Sequence, residues 1–153
     1  MKLKLPIILL VLMGLHVPDT VIAACTVSTT PVTFGSYNVF STGPLDATGT
    51  VTVNCNEAPP PTVTISIGQS TNSGGFDPRA MKLAAGSELL SYNLYTDSNR
   101  TYIWGDGSGN TSTVRKKVFK STPMATTVYG RVPPIQNVSA GSYNEVLTVT
   151  IVW

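Results

Sequence analysis

The sequence predicts an all-β fold. Three observations carry that prediction. No long segment has a helical apolar period; short runs rich in valine and threonine alternate apolar with polar residues; and glycine, proline, asparagine and serine separate those runs at fairly regular intervals. Alternation at period two puts successive side chains on opposite faces of a pleated strand, and β-branched residues suit such a half-buried surface. Many short strands broken by turn residues indicate a sandwich or a barrel.

In chain order, strands are predicted at 26–28, 32–34, 48–55, 62–67, 79–83, 89–96, 102–104, 112–119, 126–131 and 145–153. Val63, Ile65 and Ile67 share one face of theirs. Pro59-Pro60-Pro61 is a stiff connector, since proline has no N–H for a strand ladder. Residues 68–76 and 105–110 are polar, glycine-rich turns. The last strand is the most informative. Leu147, Val149, Ile151 and Trp153 lie on one face, and Val146, Thr148, Thr150 and Val152 on the other. An apolar strand ending at Trp153 is either well buried or an edge that a partner must cover.

Ahead of these strands, Lys2 and Lys4 precede an apolar run over 5–13, and small residues follow at Ala23-Ala24. This is the pattern of a secretory signal peptide over residues 1–24; the run is too short for a membrane-spanning helix, which needs about 20 apolar residues. Cleavage after Ala23 or Ala24 leaves one domain, residues 25–153, of ordinary domain size. No later stretch is apolar enough to span a membrane. Eight basic and seven acidic side chains follow Ala24, a net +1, which argues against a nucleic-acid binder because such a protein needs a basic face. The cluster Arg115, Lys116, Lys117 with Lys120 reads as a solvated strand or loop face, or as a contact for an anionic surface.

Cys25 and Cys55 are the two cysteines. In an exported chain an even pair reads as one disulfide, and closing a loop of about 30 residues contributes on the order of 3–4 kcal/mol. The competing reading is lipidation: Ile22-Ala23-Ala24-Cys25 also resembles a lipoprotein cleavage box, which would make this a lipid-anchored envelope protein through Cys25.

Candidate chemistry is sparse. His16, the single histidine, lies in the signal segment, which argues against Ser-His-Asp and Cys-His catalysis and removes the commonest zinc ligand. The acids Asp46, Glu57, Asp77, Glu88, Asp97, Asp106 and Glu145 are scattered. Asp106-Gly107-Ser108-Gly109-Asn110 has calcium-loop spacing, but Thr111 and Lys117 stand where an EF-hand needs Gly and Glu, so a plain turn is expected. The expectation is no enzyme, no metal and no cofactor. Tyr92, Tyr95, Tyr102 and Trp104 occupy neighbouring segments. They are expected either to pack across strands or to stack on a sugar or surface. Tyr102, Trp104, Arg115, Lys116 and Lys117 are the candidate surface contacts.

An ordered set of short motifs carries a family resemblance. It runs through Cys25-Thr26-Val27, Pro31-Val32-Thr33-Phe34-Gly35-Ser36-Tyr37, Gly49-Thr50-Val51-Thr52-Val53-Asn54-Cys55 and Arg79-Ala80-Met81. It continues with Leu90-Ser91-Tyr92-Asn93-Leu94-Tyr95, Trp104-Gly105-Asp106-Gly107, Val128-Tyr129-Gly130-Arg131-Val132-Pro133 and Gly141-Ser142-Tyr143. In this order they resemble the spore coat protein U domain family, which includes subunits of archaic, Csu-type chaperone–usher pili. The 115–120 stretch is more basic than that pattern.

The resemblance implies an incomplete, pilin-like immunoglobulin sandwich that lacks its final strand. The missing strand is lent by a periplasmic chaperone and then by a neighbouring pilus subunit, with export through an outer-membrane usher to the cell surface. On that reading the acceptor groove is lined by Val27, Val32 and Phe34 from one side and by Leu147, Val149, Ile151 and Trp153 from the other. Chain-building subunits of this type carry a donor segment before the first cysteine. Here Cys25 lies at most two residues into the mature chain, which implies a subunit that accepts a strand without giving one, as at a fibre tip. The alternative function is an adhesive surface- or carbohydrate-binding domain.

Overall fold

A computed structural model describes residues 25–153; the expected signal peptide, residues 1–24, lies outside the described residues. Among the described residues nine strands form, in chain order: β1 Cys25–Thr30, β2 Leu45–Cys55, β3 Thr62–Ile67, β4 Arg79–Leu83, β5 Leu89–Tyr95, β6 Val114–Lys117, β7 Met124–Val132, β8 Tyr143–Asn144 and β9 Val149–Val152. They make two sheets, one ordered β1-β2-β7-β5-β4-β8 and the other β6-β3-β9, with every ladder antiparallel.

The sheets pack through their apolar faces. In β2, Val51, Val53 and Cys55 point inward at period two; in β7, Val128 and Val132 do; in β3, Val63, Ile65 and Ile67 do. With Leu90, Tyr92, Leu94, Trp104 and Val118 these residues form one core. Trp104 is the largest side chain in it and is fully buried. Its indole N–H donates to the Ile65 carbonyl at 3.1 Å, so the polar tip of the residue is satisfied inside the core. Trp104 is therefore a core residue and not the surface contact expected for it: the chain turns it inward where Trp104 bridges to Ser112.

Cys25 and Cys55 form a disulfide at the end of the β1–β2 ladder, where they are register partners. With its sulfur bonded to Cys55, Cys25 has no thiol to carry lipid, which removes the lipid-anchor alternative from this structure.

Several expected strands differ in extent. The segment 32–34 belongs to no strand, and 102–104 contributes only isolated bridges at Ile103 and Trp104. The strand expected over 145–153 is shorter than expected, and a separate two-residue strand precedes it. Tyr143–Asn144 joins β4 in the larger sheet, residues 145–148 cross over, and Val149–Val152 joins β3 in the smaller one. Alternation continues through a crossover, so periodicity alone does not reveal a change of partner. Among the described residues no helix is long and apolar enough to cross a membrane.

Candidate functional site

An open cleft of about 1130 Å³ runs between two stretches of chain that belong to different parts of the sequence. One wall is residues 29–39 and the other residues 138–149. The floor is core: Val51, Leu90, Leu94, Val128 and Val132 all face it. It is an incompletely covered part of the sandwich interior.

The first wall is placed by two glycines. After β1 the chain leaves the ladder at Pro31 and crosses the face of β2 and β7. It crosses over Gly49 and Gly130, where a Cβ would meet Val32 at 2.9 and 2.7 Å respectively. Absent side chains at those positions let Val32 and Phe34 lie directly on the sheet backbone. Phe34 then meets the Tyr92 ring edge-on, centroids 5.9 Å apart. Farther along, the Tyr37 hydroxyl donates to the Pro133 carbonyl at 3.0 Å and accepts from the Gln136 N–H at 2.8 Å. The Gln136 amide in turn exchanges two hydrogen bonds with the backbone of Ser91, at 2.8 and 2.9 Å. The wall is thus tied to the larger sheet at both ends.

The second wall is placed by a carboxylate. Glu145 Oε1 accepts from Ser70 Oγ at 2.6 Å and Asn72 Nδ2 at 3.2 Å, and its Oε2 accepts from the Tyr92 hydroxyl at 2.6 Å. Burial, reinforced by that bond to Glu145, pushes the Tyr92 hydroxyl far above its ordinary range. It therefore remains a donor throughout the working pH range. Glu145 so fixed, Leu147 and Val149 turn onto the core while Val146 points to solvent.

Beneath this wall lies Arg79, fully buried. Its guanidinium donates to the carbonyls of Trp104 at 2.7 Å, Gly68 at 3.0 Å and Ile67 at 3.3 Å, and to Asn93 Oδ1 at 2.8 Å. Burial lowers its pKa, and the four acceptors replace the lost water.

The residues expected to line an acceptor groove divide in two. Val32, Phe34, Leu147 and Val149 line the cleft together. Val27, Ile151 and Trp153 do not. Val27 is 38% exposed, because β1 covers β2 only from the edge. Ile151 packs against the core opposite Ile65. Trp153 is 50% exposed, with its indole N–H donating to Glu57 at 2.7 Å. Of the candidate surface contacts, Tyr102, Arg115, Lys116 and Lys117 are exposed. Gly49, Gly130 and Arg79 stand in the family motifs and Glu145 among the scattered acids, but none of the four is expected from sequence to shape the site. The signal for the glycines was present, since glycine inside a strand marks a close backbone approach; Glu145 was likewise a lone acid opening an otherwise apolar run.

Chemically the cleft offers apolar surface and strand edges. Among the described residues no group of three or more His, Cys, Asp or Glu gathers to hold a metal. The Asp106 carboxylate is spent on the Ser108 N–H and hydroxyl at 2.8 and 2.6 Å, which close a turn.

Two sheets around one core, one disulfide and a sandwich interior left open along one side define an incomplete immunoglobulin-like, pilin-like domain. The chain belongs to the family of the Spore Coat Protein U domain, which matches residues 12–150. It is 34% identical to Protein U of Myxococcus xanthus over 110 residues, 70% of this chain and 60% of that protein, so it spans less than two thirds of that relative's length. In fold it is similar to a chain of the CsuC-CsuE chaperone-tip adhesion subunit pre-assembly complex from archaic chaperone-usher Csu pili of Acinetobacter baumannii. The TM-score is 0.54 at 19% identity, over 86% of this chain and 40% of that one.

Proposed function

We propose that this chain is an exported structural subunit of a surface pilus or coat, completed by a strand supplied from a partner. Residues 1–24 direct export and residues 25–153 form the assembling domain. The partner is a periplasmic chaperone in transit and a neighbouring subunit afterwards, with an outer-membrane usher between the two.

The observation that carries this reading is the cleft. On one side β9 is the end strand of its sheet, with β3 as its one ladder partner; on the other, residues 31–37 belong to no strand and have no ladder partners. An extended peptide with alternating apolar side chains would hydrogen-bond to these edges and bury those side chains on Leu94, Val128 and Leu147.

The test is periplasmic co-expression with a chaperone of an archaic pilus system. The expected result is a one-to-one complex in which amides of 31–37 and 149–152 exchange slowly, and which Leu147→Arg abolishes. A chain that is soluble and monomeric alone, and ignores the chaperone, would overturn the proposal.

A second reading, adhesive contact, is favoured by Phe40 and Tyr102, which are 87% and 59% exposed on loops. Phe40→Ser with Tyr102→Ser is expected to lower surface retention without altering chaperone binding; unchanged retention removes this reading.

A further inference from the structure

The smaller sheet has two outer strands of opposite character. At one end, β9 presents Val149 and Ile151 to the core and Thr150 and Val152 to solvent, with no charge on either face. At the other end, β6 reads Val114-Arg115-Lys116-Lys117. Register fixes the faces: Val114 stands opposite Ile65, and Lys116 opposite Val63, both buried core residues. Directly opposed residues in an antiparallel pair share a face. Val118, two residues beyond Lys116, is fully buried. Lys116 is therefore placed on the core-side face of β6, between two valines, and stays solvated only because β6 is an edge. Among the described residues it has no ion-pair partner.

We infer that Lys116 closes the β6 edge to strand addition by a second copy of this chain. A strand added outside β6 would turn the edge into an interior position and surround the Lys116 ammonium with apolar side chains. An unpaired ammonium loses several kcal/mol of hydration on such burial, which an inward-pointing edge charge uses to prevent pairing. Antiparallel pairing of β6 with its own copy also sets Arg115, Lys116 and Lys117 against the same three charges. Strand addition is thereby confined to the other edge of the sheet. The argument rests on β6 alone and does not need the cleft to take a donor strand.

The test compares Lys116→Val with Lys117→Val in the full chain, prepared identically. Both remove one positive charge, but Lys117 stands opposite Thr62 on the outer face. Light scattering and amide exchange are followed across a concentration series. Lys116→Val is expected to associate, with exchange at 114–117 slowed about tenfold or more as concentration rises, while Lys117→Val behaves as the parent. Lys116→Thr, neutral and strand-compatible, is a second variant expected to associate, and Lys116→Arg is expected not to. Parent-like behaviour of both neutral Lys116 variants overturns the inference. So does equal association of the Lys117 variant, which would make total charge the cause. Failure of the cleft reading would instead show at 31–37 and 149–152.

Discussion

Val32 is seated on Gly130: a Cβ at Gly130 would stand 2.7 Å from Val32 Cγ1 and 2.8 Å from Phe34 Cζ. The glycine at 49 does the same on the neighbouring strand, where a Cβ would come within 2.7 Å of the Thr30 carbonyl oxygen. Two missing side chains make the trench through which the chain crosses from the β1 ladder to the cleft, so the wall of the cleft depends on atoms that are not there.

Gly130→Ala is expected to destabilise the domain by about 1–3 kcal/mol through overpacking. Gly49→Ala is expected to cost more, because a backbone oxygen yields less readily than a side chain. Urea denaturation measures both, and amide exchange at residues 32–34 is expected to rise in each. An unchanged midpoint for Gly130→Ala would show that Val32 and Phe34 are not held against the sheet.

Glu145→Ala removes an acceptor shared by Ser70, Asn72 and Tyr92; Asn72 keeps the Ala80 carbonyl at 2.8 Å, and Ser70 keeps it only at 3.5 Å. Ser70 is fully buried, and an unsatisfied buried donor costs about 1–3 kcal/mol. Glu145→Gln, which keeps an acceptor oxygen, is expected to cost less. In a Tyr92→Phe background the loss from Glu145→Ala should shrink, since the two groups are coupled; thermal unfolding of the four proteins gives the cycle.

Trp104→Ala is expected to cost about 3–5 kcal/mol, as large-to-small changes in a packed core do. Trp104→Phe separates packing from the hydrogen bond. It leaves the Ile65 carbonyl without the indole donor, and about 1–3 kcal/mol is expected from that alone. Equal stability of Trp104→Phe and the parent would make the bond dispensable.

Acid is expected to weaken the domain. Asp46 is hydrogen-bonded by Arg131 at 2.7 and 2.8 Å, which lowers its pKa, and Arg100 adds a second cation at 3.2 Å. Asp97 shifts the same way, held by the Tyr102 and Thr101 N–H groups. A lowered folded pKa contributes stability that is complete above the unfolded value of about 3.9. That stability is lost as pH falls through the folded value. Stability should therefore fall below about pH 4. Asp46→Asn should flatten that fall while costing no more than about 1 kcal/mol at neutral pH, since the pair is solvent-exposed.

The alternation of Val51 and Val53, and of Val63, Ile65 and Ile67, determined by itself which side chains share a face. With the valine- and threonine-rich runs it determined an all-β domain, whereas two cysteines in a chain with an export pattern left a disulfide and a lipid anchor both open until the fold made them register partners. Tertiary structure alone decided which neighbour each strand has. It confined the last strand to Val149–Val152, buried Trp104, left Val27 and Trp153 outside the cleft, and turned Lys116 toward the core side of an edge. The reason is physical: a period of two is a local property of one strand. Whether a face is covered depends on chain that may be a hundred residues away, as the Tyr37 hydroxyl on Gln136 illustrates.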